Sequence, residues 1–205
     1  MTPRYGPGWL PSAQTGRLEG KTLRLGDIAP DFTAQSTRGE ISFHEWLGDG
    51  WGVLFSHPAD FTPVCTTELD TVARLKPEFD RRDVKVIGLS VDSVQSHERW
   101  EGDIGEVQGT PMNFPIIADT DQKTSRLYDL IDPMSTGRNF AEILRAIDSL
   151  QLTAAQPVAT PADWVPGHDV IVGLAVDDDA AKERFGELRI VKPYLRCTGD
   201  PSAKA

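Results

Sequence analysis

One cysteine in this chain sits where a thiol becomes reactive. The run Ser56-His57-Pro58-Ala59-Asp60-Phe61-Thr62-Pro63-Val64-Cys65-Thr66-Thr67-Glu68 follows the apolar segment Trp51 to Phe55 and precedes Leu69, Val72, Ala73 and Leu75, which recur at helical spacing. The first segment reads as a buried strand and the second as a helix, so the run between them is a strand-to-helix loop. Thr62 suits the N-cap, and Pro63 suits the first helical position, where no backbone N–H is needed. Cys65 then falls in the first turn, where unsatisfied N–H groups and the helix dipole favour an anion. A thiol placed there ionises more readily than in bulk water, and the thiolate is the nucleophile. The competing reading, a small buried hydrophobe, is the usual fate of a lone cysteine. The helix start, two adjacent threonines and His57 tip the balance to a reactive thiol.

The elements that must hold this loop alternate. Val84 to Val91 reads as a strand that is apolar on both faces, as inside a parallel sheet. A helix opening at Asp92-Ser93 carries Val94, His97, Trp100 and Ile104 inward. Ile41-Ser42-Phe43 and Phe114 to Ala118 read as short strands, and the helix from Pro63 is expected to run to about Asp80, with another from Gln122 to Leu130. Asn139 to Leu152 is amphipathic, with Phe140, Ile143, Leu144, Ile147, Leu150 and Leu152 on one face. Strand–helix alternation of this kind implies an α/β fold with a largely parallel sheet. After Pro157 the texture changes: one strand candidate remains, Val170 to Leu174, then a short helix opened by Asp177-Asp178-Asp179 and ending at Phe185. Those acids are read as helix-start residues and not as a metal site. The expected division is a flexible leader over 1–24, a main domain over 25–154 and a smaller one over 155–205.

A length of 205 residues and a net charge of −10 describe a chain with one good core and little affinity for nucleic acid or anionic membranes. No apolar run approaches the ~20 residues of a membrane span. Two distant cysteines, without a Cys-x-x-Cys, make neither a disulfide framework nor a dithiol redox centre, so a reducing, cytoplasmic setting is expected. Arg4, Arg17, Lys21 and Arg24 against Glu19 keep a mitochondrial alternative open.

The run Pro58-x-x-x-Thr62-x-x-Cys65 resembles the active-site loop of the peroxiredoxins. Its flanks, Ser56-His57-Pro58 and Pro63-Val64-Cys65-Thr66-Thr67-Glu68, resemble the one-cysteine, peroxiredoxin-6-like subfamily. The likeness continues in Leu25-Gly26-Asp27, Leu89-Ser90-Val91-Asp92-Ser93, Thr136-Gly137-Arg138-Asn139-Phe140 and Val158-Ala159-Thr160-Pro161, and so covers nearly everything after the leader. What it implies is a thioredoxin-like fold with a C-terminal dimerisation arm and a homodimer. It also implies a thiol peroxidase that reduces hydrogen peroxide and organic hydroperoxides through a Cys65 sulfenic acid. By the same resemblance Thr62 hydrogen-bonds thiolate and peroxide, Pro58 shields the sulfur, and Arg138 stabilises its charge in a network with Glu68, while His57 lines the pocket. No bound cofactor is implied; the reductant is external, namely glutathione, ascorbate or a thioredoxin-type protein. Cys197 matches no resolving-cysteine motif and reads as an incidental thiol in a polar tail.

The chain departs from that pattern in two places. Gly50 in Gly48-Asp49-Gly50-Trp51-Gly52 stands where some members carry a lipase serine, which leaves His44 without a hydroxyl to activate. After Leu130-Ile131-Asp132-Pro133 the chain passes directly to Met134-Ser135-Thr136-Gly137, where the family has a strand, a turn and a second strand. The first of these strands carries the family's main catalytic arginine, and neither Arg126 nor Arg145 can be assigned that role. The alternative reading is therefore an impaired isoform acting as a holdase or as the partner of a complete paralogue.

Overall fold

A computed structural model describes residues 23–130 and 135–204. The leader over 1–24 falls almost wholly outside them, as does the Pro133–Met134 join. The chain divides into two compact units, the first ending at Phe140 and the second beginning at Ala141.

In the first unit the elements are β1 (Thr33–Ser36), β2 (Gly39–Ser42), α1 (Phe43–Leu47), β3 (Trp51–Ser56), α2 (Pro63–Arg74), α3 (Lys76–Arg81), β4 (Val84–Ser90), α4 (Val94–Gln108), β5 (Ile116–Ala118) and α5 (Lys123–Tyr128). The sheet order is β2-β1-β5-β4-β3. β3, β4 and β5 are parallel, as expected, whereas β1 pairs antiparallel with both β2 and β5. The expected parallel sheet thus extends only over the strands that the helices connect; β1 and β2 are joined by a tight turn, which only antiparallel strands permit.

β4 is the spine of this sheet. Val84, Val86, Ile87 and Leu89 are all buried, so both of its faces are covered. On one side Ile87 and Leu89 pack with Ile41, Phe43 and Ile117. Elsewhere in the core, Leu69 and Val72 of α2 and Trp100 and Ile104 of α4 are also out of solvent. Each such aliphatic side chain contributes about 1.5–3 kcal/mol.

Three local readings change. Phe43 begins α1 and is not the end of a strand. The helix expected to run from Pro63 to about Asp80 breaks at Leu75, and α3 starts at Lys76, because Pro77 has no N–H to continue the ladder. Leu150, expected on the buried face, is 56% exposed.

The second unit holds α6 (Phe140–Ala155) after its first residue, then β6 (Val158–Ala159), β7 (Val170–Val172), α7 (Asp178–Phe185), β8 (Arg189–Lys192) and β9 (Leu195–Thr198). Its antiparallel sheet has the order β6-β7-β9-β8. The division lies before α6 and not at 154/155, since Leu152 packs with Val158, Trp164, Val170 and Phe185 in this unit's own core. Asp177 caps α7 by accepting from the Ala180 N–H at 2.8 Å, which is the helix-start role expected of the acidic run. The stretch read as a polar tail is strand β9, and Cys197 on it is buried. The short strands β6, β8 and β9 escaped the sequence reading because their side chains lack an apolar alternation.

Candidate active site

β3 delivers the chain to the loop, and α2 takes it away. Thr62 has extended backbone (φ −103, ψ 140) at the N-cap, Pro63 is the first helical residue, and Cys65 the third. The Cys65 side chain is buried, with 2% of its surface exposed. Neither cysteine forms a disulfide. The Thr62 hydroxyl does not cap the helix; it donates to the Ala59 carbonyl at 2.9 Å, which ties the loop to itself. Phe61, half exposed, holds φ at +55, a conformation costly for a bulky residue and characteristic of loops that position functional groups. Pro58 is half-buried in the same loop.

Arg138 arrives from the far side of the unit in sequence and joins the loop to the helix. Its backbone N–H donates to Glu68 Oε1 at 2.7 Å and its guanidinium to Glu68 Oε2 at 2.6 Å. A further guanidinium N–H reaches the carbonyl of Ser56, at the end of β3. The guanidinium also lies over the Phe55 ring, 5.6 Å from its centre. Glu68 sits one turn beyond Cys65 and is buried, so one cation braces the last residue of β3 and the first turns of α2 together. Arg126 and Arg145 are engaged elsewhere: the first donates to Gln122, the second to Glu142 and the Trp164 carbonyl. His44 points its Nε2 at the carbonyl of Ala29.

His57 is buried against Trp100, with ring centres 5.0 Å apart, and Trp100 donates its indole N–H to Thr66 beside Cys65. Its Nε2 lies 3.0 Å from Asp60 Oδ1. Asp60 also meets His97 Nδ1 at 2.9 Å, and His97 Nε2 faces the Ile117 carbonyl at 3.2 Å. Burial opposes ionisation of Asp60, but hydrogen bonds from His57 and His97 outweigh it and hold the carboxyl well below the usual carboxylate range. Asp60 and His97 were not singled out as site residues from sequence. The signal available was the three-residue step from His57 to Asp60 and the inward position of His97 on its helix. These three residues are also the grouping, among the described residues, whose donor atoms have metal-ligand spacing, within 4.8 Å of one another.

Beside the Cys65 turn runs an open groove of about 220 Å³, lined by Phe61, Thr62, Thr66, Trp100, Ile104 and Val107 among others. A buried nucleophile at a helix start, with a cation braced against the first turns of the same helix, suits attack on a small electrophile.

Comparison with known proteins agrees with this chemistry. Residues 25–175 match the model of the AhpC/TSA family. The chain is 46% identical to the mitochondrial peroxiredoxin PRX1 of Saccharomyces cerevisiae, over 86% of this chain and 80% of that one. With peroxiredoxin-6 of Rattus norvegicus it shares 44% identity over 87% of this chain and 98% of the relative. That alignment spans 220 positions, more than the whole 205-residue chain, so some of them have no counterpart here. A solved yeast mitochondrial 1-Cys peroxiredoxin, studied for thiol resolution via glutathione/thioredoxin systems, superposes with a TM-score of 0.83. It is 45% identical, over 87% of this chain and 100% of the other.

Proposed function

Because the chain belongs to the AhpC/TSA family, has the thioredoxin-like fold of its peroxiredoxins and is a thiol-dependent peroxidase, we propose that Cys65 is its peroxidatic residue. The observation that carries this assignment is the burial of Cys65 as the third residue of α2, among backbone N–H groups that have no helical partner. The Cys65 thiolate attacks the terminal oxygen of a hydroperoxide. An S–O bond forms as the O–O bond breaks, and the leaving oxygen takes a proton to depart as water or alcohol. The sulfur is oxidised to a sulfenic acid while the peroxide is reduced.

The surrounding residues take distinct parts. Thr62, its proton given to Ala59, keeps oxygen lone pairs that accept from the hydroperoxide O–H. Arg138, fixed by Glu68, supplies positive charge near the developing anion. Pro58 and His57 close the sulfur off from bulk water, and the groove beside Thr66 and Trp100 receives the organic part of the substrate.

The cycle needs no bound cofactor and closes with an external thiol. The yeast structure was solved in the context of glutathione and thioredoxin systems, which favours those reductants over ascorbate. The yeast relative is mitochondrial, and the basic residues of the leader fit that location better than the cytoplasm. The working form is a homodimer.

Consumption of hydrogen peroxide by the purified chain tests the assignment. Cys65→Ser is expected to abolish turnover and to remove labelling by a sulfenic-acid-specific dione. Undiminished turnover in that variant rejects Cys65 as the nucleophile. Turnover restored by glutathione with glutaredoxin, or by thioredoxin with its reductase, but not by ascorbate, identifies the reductant class.

A further inference from the structure

The buried triad behind the thiol loop has a definite proton arrangement. Asp60 is ionised and can only accept, so each imidazole nitrogen facing it carries a hydrogen: Nε2 of His57 and Nδ1 of His97. The other His97 nitrogen faces the Ile117 carbonyl, also an acceptor only, and is therefore protonated too. The remaining nitrogen, His57 Nδ1, is buried with no hydrogen-bond partner. A hydrogen there would be an unsatisfied buried donor, at a cost of about 1–3 kcal/mol, whereas a lone pair is tolerated more cheaply. Orientation is fixed as firmly as protonation. The His57 backbone N–H is held by Leu89, its ring is wedged against Trp100, and the Asp60 N–H is held by Asp92 at 2.8 Å.

We propose that Asp60 and His97 are positioning residues that lock His57 in its Nε2-protonated tautomer and so make Nδ1 a buried hydrogen-bond acceptor on the thiol loop. A group that meets this nitrogen must bring a donor hydrogen, as a hydroperoxide or a thiol does. The arrangement is the one in which a carboxylate holds an imidazole so that its second nitrogen is left basic. His97, with both nitrogens donating, anchors the carboxylate to the carbonyl of β5. The inference rests on the reading of this loop as the peroxidatic site, but the tautomer itself does not depend on Cys65.

Long-range proton–nitrogen correlation spectra of the reduced, peroxide-free protein read it directly. In the wild type, His57 is expected to show one protonated nitrogen, Nε2, and one bare nitrogen, Nδ1, with both His97 nitrogens protonated. Asp60→Asn offers both a donor and an acceptor to His57, so the tautomers mix and the rate of peroxide reduction falls by about 10²-fold. His97→Leu acts in the same direction. His97→Asn keeps an N–H towards Asp60 and is expected to recover most of both signals. A purely structural role would lower the melting temperature of these variants while leaving the tautomer and the rate in place, and that result overturns the proposal. So does stoichiometric binding of Co²⁺ with a d–d spectrum lost in His97→Leu, since a metal would take the nitrogens assigned to protons. Activity surviving Cys65→Ser would reject the peroxidatic assignment and leave the tautomer measurement standing.

Discussion

Arg138 holds Glu68 by two bonds, a backbone N–H at 2.7 Å and a guanidinium N–H at 2.6 Å, one turn of α2 beyond Cys65. The Glu68 side chain is 6% exposed and that of Arg138 25%, so the pair is desolvated on the acid's side and partly wet on the base's. Removing the arginine leaves a buried carboxylate with one backbone donor in place of the ion pair.

Arg138→Ala is therefore expected to cost about 2–3 kcal/mol of stability, below the 3–5 kcal/mol of fully buried pairs because the guanidinium is partly hydrated. Glu68→Gln keeps the shape and the acceptor for the Arg138 N–H and costs less. The double variant should be more stable than the sum of the single effects predicts, which denaturant titration of the complete cycle measures. Peroxide reduction should fall about 10²-fold in Arg138→Ala, the scale of one lost transition-state donor. A loss of stability without a change in rate would make Arg138 a brace alone.

The two cysteines should part company under oxidation. Cys197 lies on β9 between β7 and β8, buried and paired opposite Ile171 on one side and Arg189 on the other. A thiol enclosed in a sheet is a small hydrophobe. With one equivalent of peroxide, mass spectrometry should find oxygen on Cys65 and none on Cys197. Cys197→Ala should turn over at the wild-type rate and lose about 1 kcal/mol of stability.

Sequence reading reached the first unit's centre because periodicity and capping are local. Val84 to Val91, apolar on both faces, reads as an interior parallel strand, and the observed strand stops one residue short at Ser90; Thr62-Pro63 marks the helix start that the structure has. The Arg138–Glu68 pair was reached through motif resemblance alone, since no local rule joins residues so far apart in sequence. Asp60 and His97 stayed out of reach for the same reason: one lies on a loop and the other on α4, and only the fold brings them to 2.9 Å. β8 was hidden because its four exposed residues, Arg189 to Lys192, carry no buried face to betray a strand, and β9 because polar Arg196 and Thr198 are buried on it. Thr62 is the N-cap residue its position suggests, but the bond of its hydroxyl to Ala59 depends on the loop's own curl.

Tyr128 supplies a pH-dependent signature of the first unit. Burial, reinforced by the negative charge of Asp31, pushes its phenol up to about 12. The hydroxyl donates to the Pro30 carbonyl, and the ring packs edge-on to Phe32 and Phe43. A phenol that ionises later in the folded state than in the unfolded one adds stability below the unfolded value, near 10, and that contribution disappears as pH rises through the folded value. Stability should therefore decline between about pH 10 and pH 12 more steeply in the wild type than in Tyr128→Phe. Denaturant midpoints across that window, with phenolate absorbance as a second readout, check this; parallel curves would refute it.

The edge of the main sheet yields the last prediction. β3 ends the strand order, and among the described residues no strand pairs with its outer side. Trp51 and His57 direct their N–H groups to Asp83 and Leu89 along β4, so by strand alternation Gly52, Leu54 and Ser56 turn theirs outward. The Ser56 carbonyl is taken by Arg138, which closes one end of that edge; among the described residues no strand covers the rest of the row. Such a row is a template for another chain's strand. Hydrogen exchange at low concentration should show the Val53 and Phe55 amides protected by β4 while those of Gly52 and Leu54 exchange rapidly. As concentration rises, Gly52 and Leu54 should gain protection in step with a larger sedimentation coefficient, because pairing of two such edges satisfies both rows. Equal protection of all four amides, independent of concentration, would mean that the edge is already covered within one chain.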